Sequence, residues 1–223
     1  MSHQVSKNLY LNTKTIFLIL TLIGVLSFIL KLYHVDFSIP PATDDTYGYV
    51  LRSFSILNND FTEPIRKTLG WPITISFFYN FVNSENLIDY VNTTRILSMT
   101  ISTVTILPMY LFARRFFNEK FSLIAASMLV FEPHLIYNST SGLSESLFIF
   151  LTIFSCYFIL EKKINYSYLF AFLIGGLAVW IRFNGLVTII ILSVIFLIIY
   201  RPNKKNLAKF TLCIILFLIV ISP

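Results

Sequence analysis

Two carboxylates stand side by side at Asp44 and Asp45, in the stretch PPATDDTYGYVLRS that follows the first long apolar run of the chain. A carboxylate within hydrogen-bond reach of a hydroxyl can take its proton as a general base. It can instead ligate a divalent cation through oxygen, or simply cap a helix. Four cations form a second group: Arg66, Lys67, Arg95 and Arg182. Guanidinium and ammonium groups bind phosphate through charge-assisted hydrogen bonds; the plainer use of such side chains is snorkelling towards headgroups. The third group, Glu132, His134 and Glu145, falls within FEPHLIYNSTSGLSESLF. Glu132 and His134 are expected at an outer helix end around Pro133, and two ligands are too few to define a metal site. Glu145 is expected in the first turn of a helix, where the dipole favours a carboxylate.

The elements that carry these residues belong to a membrane protein. Of 223 residues, 56% are hydrophobic and 13% charged, and the mean hydropathy is +0.76. A soluble domain is nearer about 45–50% apolar and about 25% charged. A membrane-spanning helix needs about 20 mostly apolar residues. The candidate spans are 15–33, 95–113, 121–137, 143–160, 167–181, 185–200 and 208–223. The first runs on into KLYHVDFSIPP without a small-residue cleavage site, so it reads as an uncleaved anchor. Cys156 and Cys213 sit inside apolar runs as packing residues.

The apolar stretch 71–82 is too short to cross and reads as a helix along the outer surface. Residues 34–94 then form one large outer loop. Within it, Tyr47, Val50, Leu51, Phe54 and Leu57 recur at helical spacing, with Arg52, Ser53, Ser55 and Asn58 on the other side. This is a short amphipathic helix, with Asp44 or Asp45 at its N-cap. The expected architecture is all-α: a polytopic transmembrane bundle of about seven spans with juxtamembrane helices in its first outer loop.

Positive-inside bias orients the bundle. With a cytoplasmic N-terminus, eleven basic residues fall inside and six outside, whereas only Glu119 and Glu161 of the acids fall inside. The basic clusters are topology signals, and nucleic acid is not a partner. The sequons at 92–94 and 138–140 both fall on the outer side.

The order of these elements resembles a family. An anchor helix leads to an acidic pair, then to a GWP element, then to NTTRILSMTISTVTILPMYLFARRFFNEKFSLIAASMLVFEPHLIYNSTSGLSESLFIFL and GGLAVWIRFNGL. From about residue 15 to the end, this is similar to the N-terminal module of the GT-C polytopic glycosyltransferases. It lies nearest the protein O-mannosyltransferases and the lipid A aminoarabinose transferases. The resemblance implies that Asp44 or Asp45 is the catalytic carboxylate. It implies too that Arg95 matches the arginine that commonly opens the second span. Arg66 or Lys67 occupies the stretch where relatives bind the lipid phosphate, and Glu145 matches a recurrent Ser-Glu to which no role is attached. The donor would be a sugar on a polyprenyl phosphate reached from the outer leaflet, and the acceptor a lipid, glycan or protein hydroxyl attacked with inversion. No cofactor is certain; Glu132 and His134 are all the chain offers beside the Asp pair for a divalent metal.

The chain is thus expected to be one transmembrane module in the cell membrane or endoplasmic reticulum: anchor 15–33, outer catalytic loop 34–94 and six further spans over 95–223. Relatives are longer, and the ending FLIVISP reads as a cut within the last span. The alternative function is a non-catalytic membrane scaffold or a transporter subunit. A transporter predicts midplane charges and a repeat, whereas the ionisable residues here gather at the outer interface.

Overall fold

In the computed structural model, residues 12–39, 41, 43–60, 68–201 and 203–222 are described. They form eleven helical segments: α1 (Thr13–Tyr33), α2 (Asp44–Leu57), α3 (Gly70–Tyr79), α4 (Leu87–Val104), α5 (Ile106–Ala113), α6 (Glu119–Val130), α7 (Pro133–Thr140), α8 (Glu145–Leu160), α9 (Ser167–Ile181), α10 (Gly185–Ile199) and α11 (Lys204–Ile221). The fourth and fifth join at Thr105 into a 27-residue rod, so the described residues build ten rods. Helix starts follow local chemistry. Asn12, Asn86, Asn118 and Asn203 each stand before a helix and accept a hydrogen bond from its first-turn backbone, as a capping side chain should.

Two rods, Thr13–Tyr33 and Leu87–Ala113, are long and apolar enough to cross a membrane, and α8, α9 and α10 are shorter apolar helices. Three apolar clusters hold the bundle. One joins α8 to α11 around Phe172, Leu192, Phe196 and Cys213. A second joins α2, α3 and α4 around Val50, Trp71, Ile75 and Val91. The third joins α1, α5 and α6 around Leu20, Ile106 and Ala126. Cys156 and Cys213 are free thiols, the latter fully buried.

Three sequence expectations need correction. The helix expected from residue 95 begins at Leu87, so Arg95 lies two turns inside it. Its first turns are polar yet packed, with Thr94 and Arg95 buried, and a search for apolar runs passes over them. The expected span 121–137 is broken. Glu132 leaves the helix with extended backbone, and its carboxylate accepts from Leu135 N at 2.6 Å to start α7 at Pro133. At 1.5 Å per residue α6 is about 18 Å long and α7 about 12 Å, together about 30 Å. Ser27 Oγ donates to Val130 O at 3.1 Å, so Glu132 and His134 sit level with the last two turns of α1 rather than beyond it. The third correction concerns α2. Its buried stripe is Thr46, Tyr49, Val50 and Ser53, while Leu51 is 58% exposed. The stripe keeps helical spacing, but three of its four residues carry hydroxyls, as close helix contacts in membranes allow.

The stretch around 71–82 does form a short helix, α3. It buries Trp71, Ile75 and Tyr79 against its neighbours and leaves Ile73, Phe77, Phe78 and Phe81 outward. At about 15 Å it is far shorter than a bilayer core. Gly70 starts it against the backbone of α9. A Cβ there would lie 2.6 Å from the Trp180 carbonyl, so only glycine permits the approach.

Candidate active site

Six consecutive residues from the end of α7 to the start of α8, Thr140 to Glu145, each receive a partner from elsewhere in the fold. Arg95 Nε donates to Thr140 O at 2.8 Å, and Thr46 Oγ1 to Ser141 O at 2.5 Å. Trp71 Nε1 donates to Gly142 O at 3.1 Å, and Ser98 Oγ to Leu143 O at 3.1 Å. Ser144 Oγ shares a hydrogen bond with Tyr49 OH at 3.1 Å, and Glu145 pairs with Arg182. The turn between two helices leaves carbonyls without helical partners, and α2, α3 and α4 supply donors to those of Thr140 to Leu143. Gly142 makes the turn possible: its φ is +77°, and a Cβ would press on Thr94 Cγ2 at 3.2 Å.

Asp44 and Asp45 are both exposed in the first turn of α2. Neither is the N-cap. That position belongs to Thr43, whose hydroxyl shares a 2.7 Å hydrogen bond with Thr46. The Asp44 side chain has no hydrogen bond or ion pair to a described residue. The turn is held from below by Thr46 on Ser141 and by Tyr49 on Ser144. Two exposed carboxylates thus stand on a rigid seat. Such carboxylates can accept a hydrogen bond from a hydroxyl or bind a cation.

Arg95 is buried, and its donors are directed inward. Besides Thr140 O, it gives Nη1 to Asp36 O at 2.9 Å and Ile39 O at 3.1 Å, and it lies over the Phe37 ring. This side chain pins the segment that climbs from α1 towards the acidic turn. Asp36, which the sequence reading passes over, forms its own turn. The Ser38 hydroxyl and backbone N–H, with the Arg95 charge behind them, hold its carboxyl below the usual range. The signal available was an Asp two residues before a Ser, the pattern of an Asx turn.

Arg182 ends α9 in extended conformation and meets Glu145 at the start of α8, two candidate residues 37 positions apart in sequence. Thr68 Oγ1 donates to Ile181 O at 2.5 Å beside this corner. Arg66 and Lys67 lie outside the described residues; Thr68 is the next residue after them. Glu132 is committed to its capping bond and His134 is exposed. Among the described residues no group of three or more His, Cys, Asp or Glu could hold a metal.

A cleft of about 450 Å³ opens beside the turn, between the end of α1 and α7, lined by Leu30, His34, Phe131, Ile136, Tyr137 and Thr140. Lys31 is fully buried nearby and donates to Ser102 and Thr103 at 3.0 Å each. Of the two sequon asparagines, Asn92 is partly buried and donates to Phe37 O at 2.9 Å, and Asn138 is buried.

The family model described as dolichyl-phosphate-mannose-protein mannosyltransferase matches residues 89–223, which include Arg95, the Thr140–Glu145 turn and Arg182. No curated protein matches the chain.

Proposed function

The chain belongs to the dolichyl-phosphate-mannose-protein mannosyltransferase family, and from that premise we propose that it transfers a sugar to an acceptor hydroxyl on the outer or luminal face, with inversion at the anomeric carbon. Membership itself implies a membrane glycosyltransferase that draws on a lipid-phosphate sugar, mannose in the family's description. In our reading Asp44 or Asp45 takes the proton from the acceptor hydroxyl. The freed oxygen attacks the anomeric carbon from the face opposite the phosphate, and the carbon–oxygen bond to the phosphate breaks. The polyprenyl phosphate leaves with one more negative charge. That charge needs stabilising rather than protonating, a task for guanidinium and ammonium groups. Arg182 takes this role, with Arg66 and Lys67 in the stretch that leads to Thr68. Arg95 contributes by positioning the approach to the acidic turn.

The observation that carries the reading is the common seat of its two halves. The acidic turn rests on Ser141 and Ser144, and Arg182 rests on Glu145, the very next residue. Base and phosphate group are thereby referred to one rigid turn, which is what an inline displacement demands. The apolar cleft beside Thr140 supports sideways access for an isoprenoid chain. In the topology that fits best, seven crossings are made by α1, α4–α5, α6–α7, α8, α9, α10 and α11, with the N-terminus cytoplasmic. The acidic turn, the Thr140–Glu145 turn and Arg182 then share the outer side. The distribution of basic residues supports this orientation.

The test is transfer of label from a polyprenyl-phosphate mannose of defined anomeric configuration, in membranes carrying the chain, with the configuration of the product determined. Product of the opposite configuration is expected. Retained configuration would overturn the direct displacement, and absence of transfer in correctly inserted protein would favour the scaffold.

A further inference from the structure

The Arg182–Glu145 pair has an unfinished side. Glu145 accepts Arg182 Nη1 on Oε1, while its Oε2 is buried without a hydrogen-bond partner. A carboxylate oxygen removed from water needs a donor. Against Glu145 lies a cavity of about 10 Å³ whose polar lining comes from Ser102, Thr105, Asn138 and Ser146, which suits a single water. A cation is a poor occupant, because the buried Lys31 ammonium sits 3.0 Å from Ser102 Oγ. The pair is also well placed electrostatically. The carboxylate stands at the positive end of α8 and the guanidinium at the negative end of α9.

We propose that Glu145 is a positioning residue for Arg182: one carboxylate oxygen holds the guanidinium, the other is anchored by a water in the cavity, and the remaining N–H groups of Arg182 are thereby presented to the donor phosphate. This rests on the phosphate role given to Arg182 above. A guanidinium has five N–H donors, and about a third of the Arg182 side chain is exposed (33%), so donors remain for a second anion. A carboxylate fixed at both oxygens cannot swing after its partner. The arginine therefore keeps one orientation without a phosphate present, and binding need not order it. Glu145 does not touch the reacting atoms in this scheme. It also ties Arg182 to Ser144, and so to the seat of the acidic turn.

A purely structural tie between α8 and α9 predicts something different, and binding can separate the two. The probe is polyprenyl monophosphate without sugar, titrated into the full chain in nanodiscs. Trp180, two residues before Arg182, serves as the fluorescent reporter. Arg182→Gln is expected to weaken binding about tenfold, the scale of one charge-assisted contact. Glu145→Gln should weaken it about three- to tenfold, and the double variant no more than Arg182→Gln alone. Unchanged binding in Glu145→Gln beside a weakened Arg182→Gln would overturn the positioning role. So would losses that multiply in the double variant. Unchanged binding in Arg182→Gln would instead remove the phosphate role, and the inference with it. Should Glu145→Gln fail to insert, Glu145→Asp serves in the same cycle, since one methylene less breaks the pair while keeping the charge.

Discussion

Arg95 offers a fixed plane of donors, and the fold uses that plane where a point charge would not serve. Nε and Nη1 reach carbonyls of Asp36, Ile39 and Thr140, which belong to two separate segments. A lysine cannot span both. We expect Arg95→Lys to cost about 2–3 kcal/mol, the worth of one or two hydrogen bonds to a charged group, read as a fall in thermal unfolding temperature in detergent. Gly142→Ala should cost about 1–2 kcal/mol from left-handed backbone alone, with the 3.2 Å approach to Thr94 added to it. At this scale the sequence is legible in part. The types of Asp44, Asp45, Arg95 and Arg182 declare chemistry, but what each one faces does not show. Arg95 reads as a phosphate ligand until its acceptors are known, because those acceptors are backbone carbonyls and carry no sequence signal. Glu145 and Arg182 each have a plain local reading, and only the packing of α8 on α9 makes them a pair.

Helix packing supplies contrasting tests at the scale of elements. Gly70→Ala would drive a methyl into the Trp180 carbonyl at 2.6 Å, whereas the same change at Gly24 meets only Thr103 Cγ2 at 3.7 Å. The first is expected to destabilise by about 1–3 kcal/mol through overpacking. The second should be neutral or stabilising by about 0.5–1 kcal/mol, since alanine is the better helix former. Equal effects in a thermal unfolding comparison would contradict the described α3–α9 contact. At the opposite end of the bundle from the acidic turn, Glu161 joins three elements: it pairs with Arg115 after α5, accepts from Tyr157 of α8, and accepts from Lys163 N before α9. Burial alone would raise its carboxyl pKa, but Lys163 N–H, Arg115 and Tyr157 outweigh that and hold it below the usual range. The carboxyl is depressed in the fold, so its contribution is present above the unfolded value of about 4.3. It is lost as pH falls below that value and through the folded one. Glu161→Gln should remove this part of the acid destabilisation, measured as unfolding temperature against pH. Element existence was readable for α1 and for α8 to α11, whose apolar runs are uninterrupted. The polar first turns of α4 and the break at Glu132 were not, since both depend on which polar groups find partners inside the bundle.

Over the whole molecule, what matters is how many times the chain crosses the membrane and which side carries the acidic turn. Composition and charge distribution make a membrane bundle legible from the sequence, and the family match agrees with it. The number of crossings is less so, because α3 is only ten residues long and the apolar stretch expected to cross at 121–137 divides into α6 and α7. Single cysteines at 44, 163 and 203, in a chain with Cys156 and Cys213 replaced by serine, would report the sides directly. An impermeant thiol reagent should label position 44 from outside, and positions 163 and 203 only after permeabilisation. Labelling of position 163 from outside would mean that α3 crosses after all. The most direct measurement of function is the rate of label transfer from polyprenyl-phosphate mannose by the chain and by its Asp44→Asn and Asp45→Asn variants at equal insertion. Loss of about 10²–10⁴-fold in one variant, the scale of a removed general base, is the predicted result. Full activity in both variants would contradict a catalytic role for the acidic turn.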